Sequence, residues 1–140
     1  MPSDGHKDYS GTPLPKKLGI REGSRVVIVG APDGFALEPL PGGVEIRSRA
    51  RADVDVALLF VTRRAELLRR FGPLVRAMVP AGRLWVAWPK KAAGVPTDLS
   101  FEDVQSHGLE AGLVDNKSAS IDATYQGLQF VMRVKDRPGR

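Results

Sequence analysis

Apolar positions along the chain follow two different periods. Residues 25–30 read RVVIVG and residues 54–61 read VDVALLFV. Such runs suit strands buried on both faces, as in a parallel sheet. Between them residues 44–48, VEIRS, alternate and predict a weaker strand. From Thr62 the period lengthens. Leu67, Phe71, Leu74, Val75 and Met78 recur at helical spacing, with Arg63, Arg64, Arg69, Arg70 and Arg76 between them. Thr62 is placed to cap this helix. Gly72-Pro73 is expected to kink or divide it, and Pro80-Ala81-Gly82 to end it. Residues 84–88 predict the next strand. Ser100 and Asp103 have the spacing of a reciprocal cap, which predicts a short helix ending near Gly108. Residues 112–117 and 128–134 predict two last strands. Ahead of all these, residues 16–20 fit one helical turn closed by Gly19.

The order strand, strand, strand, helix, strand, helix, strand, strand predicts an α/β fold: a mainly parallel sheet with a C-terminal antiparallel strand pair. Residues 1–15 are polar with Gly and Pro and are expected to be a flexible tail. Residues 16–136 are expected to form a single domain, and 137–140 a short C-terminal tail. With 140 residues, 42% of them hydrophobic, the chain can bury one core.

The absence of cysteine excludes disulfides, thiolate catalysis and cysteine-held metals. His6 and His107 are the only histidines, so no zinc or iron site is expected, although an all-oxygen magnesium site stays open. No apolar run approaches the ~20 residues that span a bilayer. MPSDGHKDYSGTP lacks the apolar core of a signal peptide, so a cytoplasmic protein without a membrane partner is expected. The net charge of +5, mostly from arginine, reads first as a soluble basic surface and second as an attraction for anionic partners.

The segment DVDVALLFVTRRAELLRRFGPLVRAMVPAGRLWVAWPK, with the strand pair that follows, resembles the second half of the Rossmann-like methyltransferase fold. There, too, a buried strand, a helix, a Pro-Gly turn and another strand follow one another. YSGTPLPKKLGI, WVAWPKKAAGVPTDLS and GLVDNKSASID also resemble a family of small bacterial proteins known only as a domain of unknown function. That second likeness covers nearly all the chain after its N-terminal stretch and brings no activity with it. Together they imply a shortened, methyltransferase-like Rossmann sheet that has lost its first crossover helix.

A cofactor in that fold needs a glycine-rich turn after the first strand. Here the turn is Gly30-Ala31-Pro32-Asp33-Gly34-Phe35, without G-x-G spacing and with one N–H removed by Pro32. The thirteen residues from Ala31 to Gly43 include Pro32, Pro39 and Pro41. That is about the least a parallel crossover needs, so at most a stub of helix fits. No GK[ST] follows, which excludes a nucleotide P-loop. Glu45, Arg47, Arg49 and Arg51 alternate on one face if their strand continues. They read as a charged edge that discourages aggregation, with a bidentate grip on phosphate as the alternative. Trp85 and Trp88 fall on opposite faces of a strand and read as core. Aromatics make up 6% of the chain and mostly lie in apolar runs, which argues against a nucleic-acid surface. No serine faces a histidine at catalytic spacing, so no catalytic residue is assigned.

Ligands of open parallel sheets bind beyond the C-terminal strand ends. The candidate ligand-binding residues there are Asp33 after the first strand, Arg63 after the third, Lys90 and Lys91 after the fourth, and Asp98 beyond them. Asp115, Asn116 and Lys117 complete the set, with their end of the sheet left open by the topology. The expected function is a non-enzymatic binding or regulatory protein, without cofactor, that holds an anionic small molecule or a protein partner. The alternative is a minimal S-adenosylmethionine (SAM)-dependent methyltransferase or another transferase using the same edge. A third reading, weak nucleic-acid binding, rests on the arginines of the 62–78 helix. An exposed edge strand leaves a homodimer open.

Overall fold

The computed structural model describes residues 11–137, so residues 1–10 of the expected N-terminal tail and residues 138–140 lie outside the described chain. The elements are α1 (Leu14–Leu18), β1 (Arg25–Val29), β2 (Glu45–Arg47), β3 (Val54–Phe60), α2 (Arg64–Ala77), β4 (Met78–Pro89), α3 (Phe101–Glu110), β5 (Leu113–Ser120) and β6 (Tyr125–Met132). The strands form one six-stranded sheet in the order β2-β1-β3-β4-β6-β5. β1 pairs in parallel with β2 and β3, and β3 with β4. β6 is antiparallel to both β4 and β5, so it is the one reversed strand, and β5 runs in the direction of β4. The expected α/β architecture, mainly parallel with a closing antiparallel pair, is the observed one.

Two apolar layers flank the sheet. On one face α2 and α3 bury Leu67, Phe71, Leu74 and Val104 against Leu59, Val86, Trp88, Leu128 and Phe130. On the other face Leu18 and Ile20 of the α1 region and Leu37 of the β1–β2 connection cover Val26, Leu58, Phe60 and Trp85. The tryptophans divide between the faces as period 2 requires. Trp85 is fully buried and donates from Nε1 to the Leu18 carbonyl at 3.0 Å. That bond ties α1 to the sheet. α1 starts at Leu14 with Pro15 buried, so the end of the stretch read as tail is docked. Gly19 closes the helix in the left-handed region, φ 86°. The proline-rich connection between β1 and β2 carries no helix.

Three local expectations change. α2 runs unbroken through Pro73. Pro73 and Arg69 are both exposed, so the carbonyl that loses its helical partner lies on the solvent side, where water replaces the bond. Pro80-Ala81-Gly82 does not end the helix but lies inside β4, which starts at Met78. A register shift between Val54 and Val56 accommodates it. A Cβ on Gly82 would stand 3.0 Å from the carbonyl oxygens of Val54 and Val79. The N-cap position of α2 is Arg63 rather than Thr62. Among the described residues no helix is long and apolar enough to cross a membrane.

Gly108 lies inside α3 and buries its backbone against Phe130. Alanine in place of a helix-interior glycine ordinarily stabilises by about 0.5–1 kcal/mol. Here the added Cβ would fall inside the Phe130 ring, which is fully buried and packed edge-on against Phe71. Gly108→Ala is therefore expected to destabilise by about 1–3 kcal/mol, read as a lower urea midpoint. A raised midpoint would show that the ring repacks without cost.

Candidate functional site

The parallel strands end at one edge of the sheet, and five segments leave from it. They are the Gly30–Phe35 turn after β1, Ser48 after β2, Thr62-Arg63 after β3, the 90–100 loop after β4, and the hairpin between β5 and β6. Register places Ser120 and Gln126 beside Trp88, so the hairpin belongs to this edge.

Backbone-directed bonds hold these segments. Glu66 accepts from the Thr62 and Arg63 N–H groups at 2.9 and 3.2 Å. The Thr62 amide bond is the main cause that holds the Glu66 carboxyl below its ordinary range, against a smaller opposing effect of burial. Asp98 accepts the Arg64 N–H at 2.7 Å and so caps α2 from across the edge. Thr97 donates from Oγ1 to the Thr62 carbonyl at 2.6 Å. Together they lay the 90–100 loop over the start of α2. Ser100 and Asp103 form the reciprocal cap of α3. The Asp103 carboxyl is held low chiefly by the Ser100 N–H. In the hairpin, Asp122 accepts from the Thr124 and Tyr125 amides at 2.9 and 2.8 Å.

Five of the candidate residues lie at this edge. Asp33 is exposed in the β1 turn, between Pro32 and Gly34. Arg63 is exposed at the head of α2, next to the amide that Asp98 caps. Lys90 turns the other way. Its N–H donates to the Thr124 carbonyl at 2.8 Å and its Nζ to Ser120 Oγ at 2.7 Å. Lys91 opens a short exposed 3-10 turn, Lys91–Ala93. Lys90 and Asp98 therefore serve different neighbours and do not pair.

Asp115, Asn116 and Lys117 lie away from the edge. Asp115 opposes Phe130 and Lys117 opposes Gln129, with a register shift between them. Asp115 accepts from Gln105 Nε2 at 3.0 Å on the α3 side. Lys117 donates to the Lys17 carbonyl at 3.1 Å on the α1 side. The reason is topological: β5 runs with β4, so its last residues, not its first, reach the edge.

The sequence reading missed the aromatic wall of the edge. Phe35 meets Phe60 edge-on at 4.9 Å, and Phe60 meets Tyr125 at 5.1 Å. The three come from a loop, a buried strand and a hairpin, and no spacing signals their meeting. Glu66 was missed as well, because the cap was placed at Thr62 and an arginine three residues before Glu66 lacks the Ser/Thr of a capping-box signal.

The β1 turn keeps two glycines in the left-handed region, Gly30 at φ 75° and Gly34 at φ 81°. A Cβ on Gly30 would meet the Phe60 carbonyl oxygen at 2.6 Å, whereas Gly34 faces open space. The turn thus lies close on β3 and then opens outward, with the Asp33 carboxylate exposed beside the opening. These features fit a cofactor with hydroxyl and ammonium groups. At the end of β2 the fit stops, because Ser48 and Arg49 follow the strand and supply no carboxylate.

No protein-family model matches the chain, and no curated protein matches it. Solved structures do. A SAM-dependent methyltransferase from Aquifex aeolicus matches with a TM-score of 0.56 and 16% identity, over 82% of this chain and 85% of that one. LepI in complex with SAM matches with a TM-score of 0.53 and 13% identity, over 86% of this chain and 47% of LepI. LepI C52A in complex with SAH and a substrate analogue matches with a TM-score of 0.55 and 12% identity, over 94% of this chain and 50% of that one. The chain thus spans about half of LepI. At such identities the likeness is one of fold, and the methyltransferase-like fold stands. The expectation of a non-enzymatic binding protein without cofactor is corrected, because the fold is shared with a methyltransferase and with complexes of SAM and SAH. That expectation gave the missing G-x-G spacing too much weight and the retained strand-end edge too little.

His107 sits edge-on to Phe71 at 4.7 Å, and burial there lowers its pKa from 6.5. The folded state then binds its proton less well than the unfolded state. Stability from this group is complete above 6.5 and falls as the pH drops from 6.5 towards the lowered value. His107→Gln is expected to flatten the stability profile in that window, measured by urea unfolding at stepped pH. Asp98→Ala, which removes the cross-edge cap, is expected to cost about 0.5–2 kcal/mol. It should also speed hydrogen exchange at the Arg64 amide.

Proposed function

We propose that this chain is a minimal SAM-dependent methyltransferase, with its reaction edge at the C-terminal ends of β1, β3 and β4. The observation that carries the reading is the strand order β2-β1-β3-β4-β6-β5 with β6 alone reversed, in a fold shared over most of its length with a SAM-dependent methyltransferase. SAM supplies an electrophilic methyl group. The chain's own contribution is a place to hold it. The Gly30–Gly34 turn leaves room for close backbone approach, and the Asp33 carboxylate is an acceptor for a hydroxyl or ammonium group. Phe35, Phe60 and Tyr125 close the edge on the α1 side and exclude water there. Arg63 and Lys91, both exposed at the same edge, add positive charge for an anionic methyl acceptor.

Calorimetry with SAM tests this reading. Binding in the micromolar range is expected, and Asp33→Ala should weaken it about tenfold, the loss of one charge-assisted hydrogen bond. No heat at millimolar SAM would remove the reading.

A further inference from the structure

Beside the proposed reaction edge, the α3 face of the sheet is left uncovered where the β5–β6 hairpin meets the end of β4. Register sets Trp88, Gln126 and Ser120 in one row across β4, β6 and β5. Side chains of such a row share one face, and period 2 adds Lys90 beyond Trp88 and Ser118 before Ser120. α3 begins only at Phe101, whose ring stands 6.1 Å from Trp88, tilted by 58°, and stays 40% exposed. These six residues line an open hollow of about 460 Å³. Lys90 is the only ionisable group among the described residues that line it. Its Nζ is fixed in the wall. It donates to Ser120 Oγ at 2.7 Å, and that hydroxyl donates on to the Asp122 carbonyl at 3.2 Å. Gln126 is likewise held, its Nε2 donating to the Pro89 carbonyl at 3.1 Å. Among the described residues Lys90 forms no ion pair, and two of its three ammonium N–H donors have no partner.

We infer that this hollow is a binding site for a small aromatic carboxylate. The site stands on these residues and does not require the methyltransferase reading, although the end of β4 sets it beside that edge. Phe101 and Trp88 form an aromatic pair with ring surface still open to water, against which a third ring can pack edge to face. Covering that exposed phenyl ring is favourable in itself. The paired oxygens of a carboxylate match the two remaining donors of Lys90, in a charge-assisted contact at the rim of an apolar wall. The exposed Ser118 hydroxyl adds one donor. A phosphoryl group, at about −1.5 to −2 charge, would keep uncancelled charge beside a single ammonium. A cationic ligand would meet Lys90 as a like charge. The hollow exists because Ser100 and Asp103 start α3 at Phe101, so the helix does not cover Ser118 and Ser120.

The probe is naphthoate, titrated by calorimetry into the full chain without SAM. Naphthalenemethanol is the uncharged comparison and cyclohexanecarboxylate the non-aromatic one. Naphthoate is expected to bind at least about tenfold more tightly than either. Lys90→Met keeps the stem and removes the charge, and Phe101→Ala removes a ring at an exposed position outside the hairpin. Each should weaken naphthoate about tenfold. Lys16→Met removes the same charge from α1, on the other face of the sheet, and should change affinity less than about twofold. An equal loss for Lys16→Met would overturn the site in favour of diffuse attraction. Naphthalenemethanol or cyclohexanecarboxylate binding as tightly as naphthoate would overturn the ligand class, and unchanged affinity in Phe101→Ala would overturn the placement. No heat with naphthoate at millimolar concentration would overturn the site and leave the methyltransferase reading to its own titration with SAM. Naphthoate binding that depends on Lys90 and Phe101 upholds the site whether or not SAM binds.

Discussion

β3 is the constraint on which the molecule depends. It is hydrogen-bonded in parallel on both sides, by β1 and β4, and Ala57, Leu58 and Leu59 are fully buried. A strand so enclosed has no free backbone group and no free side chain along its length, so polar chemistry must lie at its ends. At the N-terminal end, Asp55 is engaged by Arg25 through the backbone N–H at 2.8 Å and the guanidinium at 3.0 Å. Burial pushes the Asp55 carboxyl up, but the Arg25 bonds outweigh it and hold the group below its ordinary range. The C-terminal end holds Gly30, Thr62 and the loops that cross between them.

Those loops are ordered mainly by side chains that bond backbone rather than by ion pairs. Asp98, Thr97, Glu66 and Asp122 each satisfy amides or carbonyls at an element's end. The consequence is functional. The acids that cap these amides form no ion pair with Arg63, Lys91 or Arg49, and those exposed charges stay unpaired among the described residues. One edge thus has its backbone groups satisfied and several of its charges open.

The connection between β1 and β2, which carries no helix, shapes both halves of that edge. On the α1 face a single turn of helix and that irregular connection pack on the sheet beside the Phe35–Phe60–Tyr125 row. On the α2 face Pro73 stays exposed beyond β1 while Leu74 is buried, and a shallow cavity lies between the end of β2 and α2. The turn needs glycine at its start because Gly30 passes the Phe60 carbonyl with no room for a side chain. The same residue thus serves the packing of β1 on β3 and the proposed cofactor edge.

Period and capping spacing determined a large part of this in advance. Continuous apolar runs marked β1 and β3, the change to helical spacing marked α2, and Ser100 with Asp103 marked the start of α3, because each signal is local and repeats the geometry of its own element. The opposite burial of Trp85 and Trp88 followed from period 2 alone. Asp33, Arg63, Lys90, Lys91 and Asp98 could be placed at one edge from strand direction. Tertiary structure decided the rest. It sent Asp98 to the Arg64 amide and Lys90 to Ser120, and withdrew Asp115, Asn116 and Lys117 from the edge through the direction of β5. It also continued α2 through Pro73 and brought Arg49 to Arg69 and Arg70. These outcomes depend on which segments become neighbours across the sheet. A local pattern fixes the face and phase of each element, but partners distant in the chain are chosen only when the strands pair.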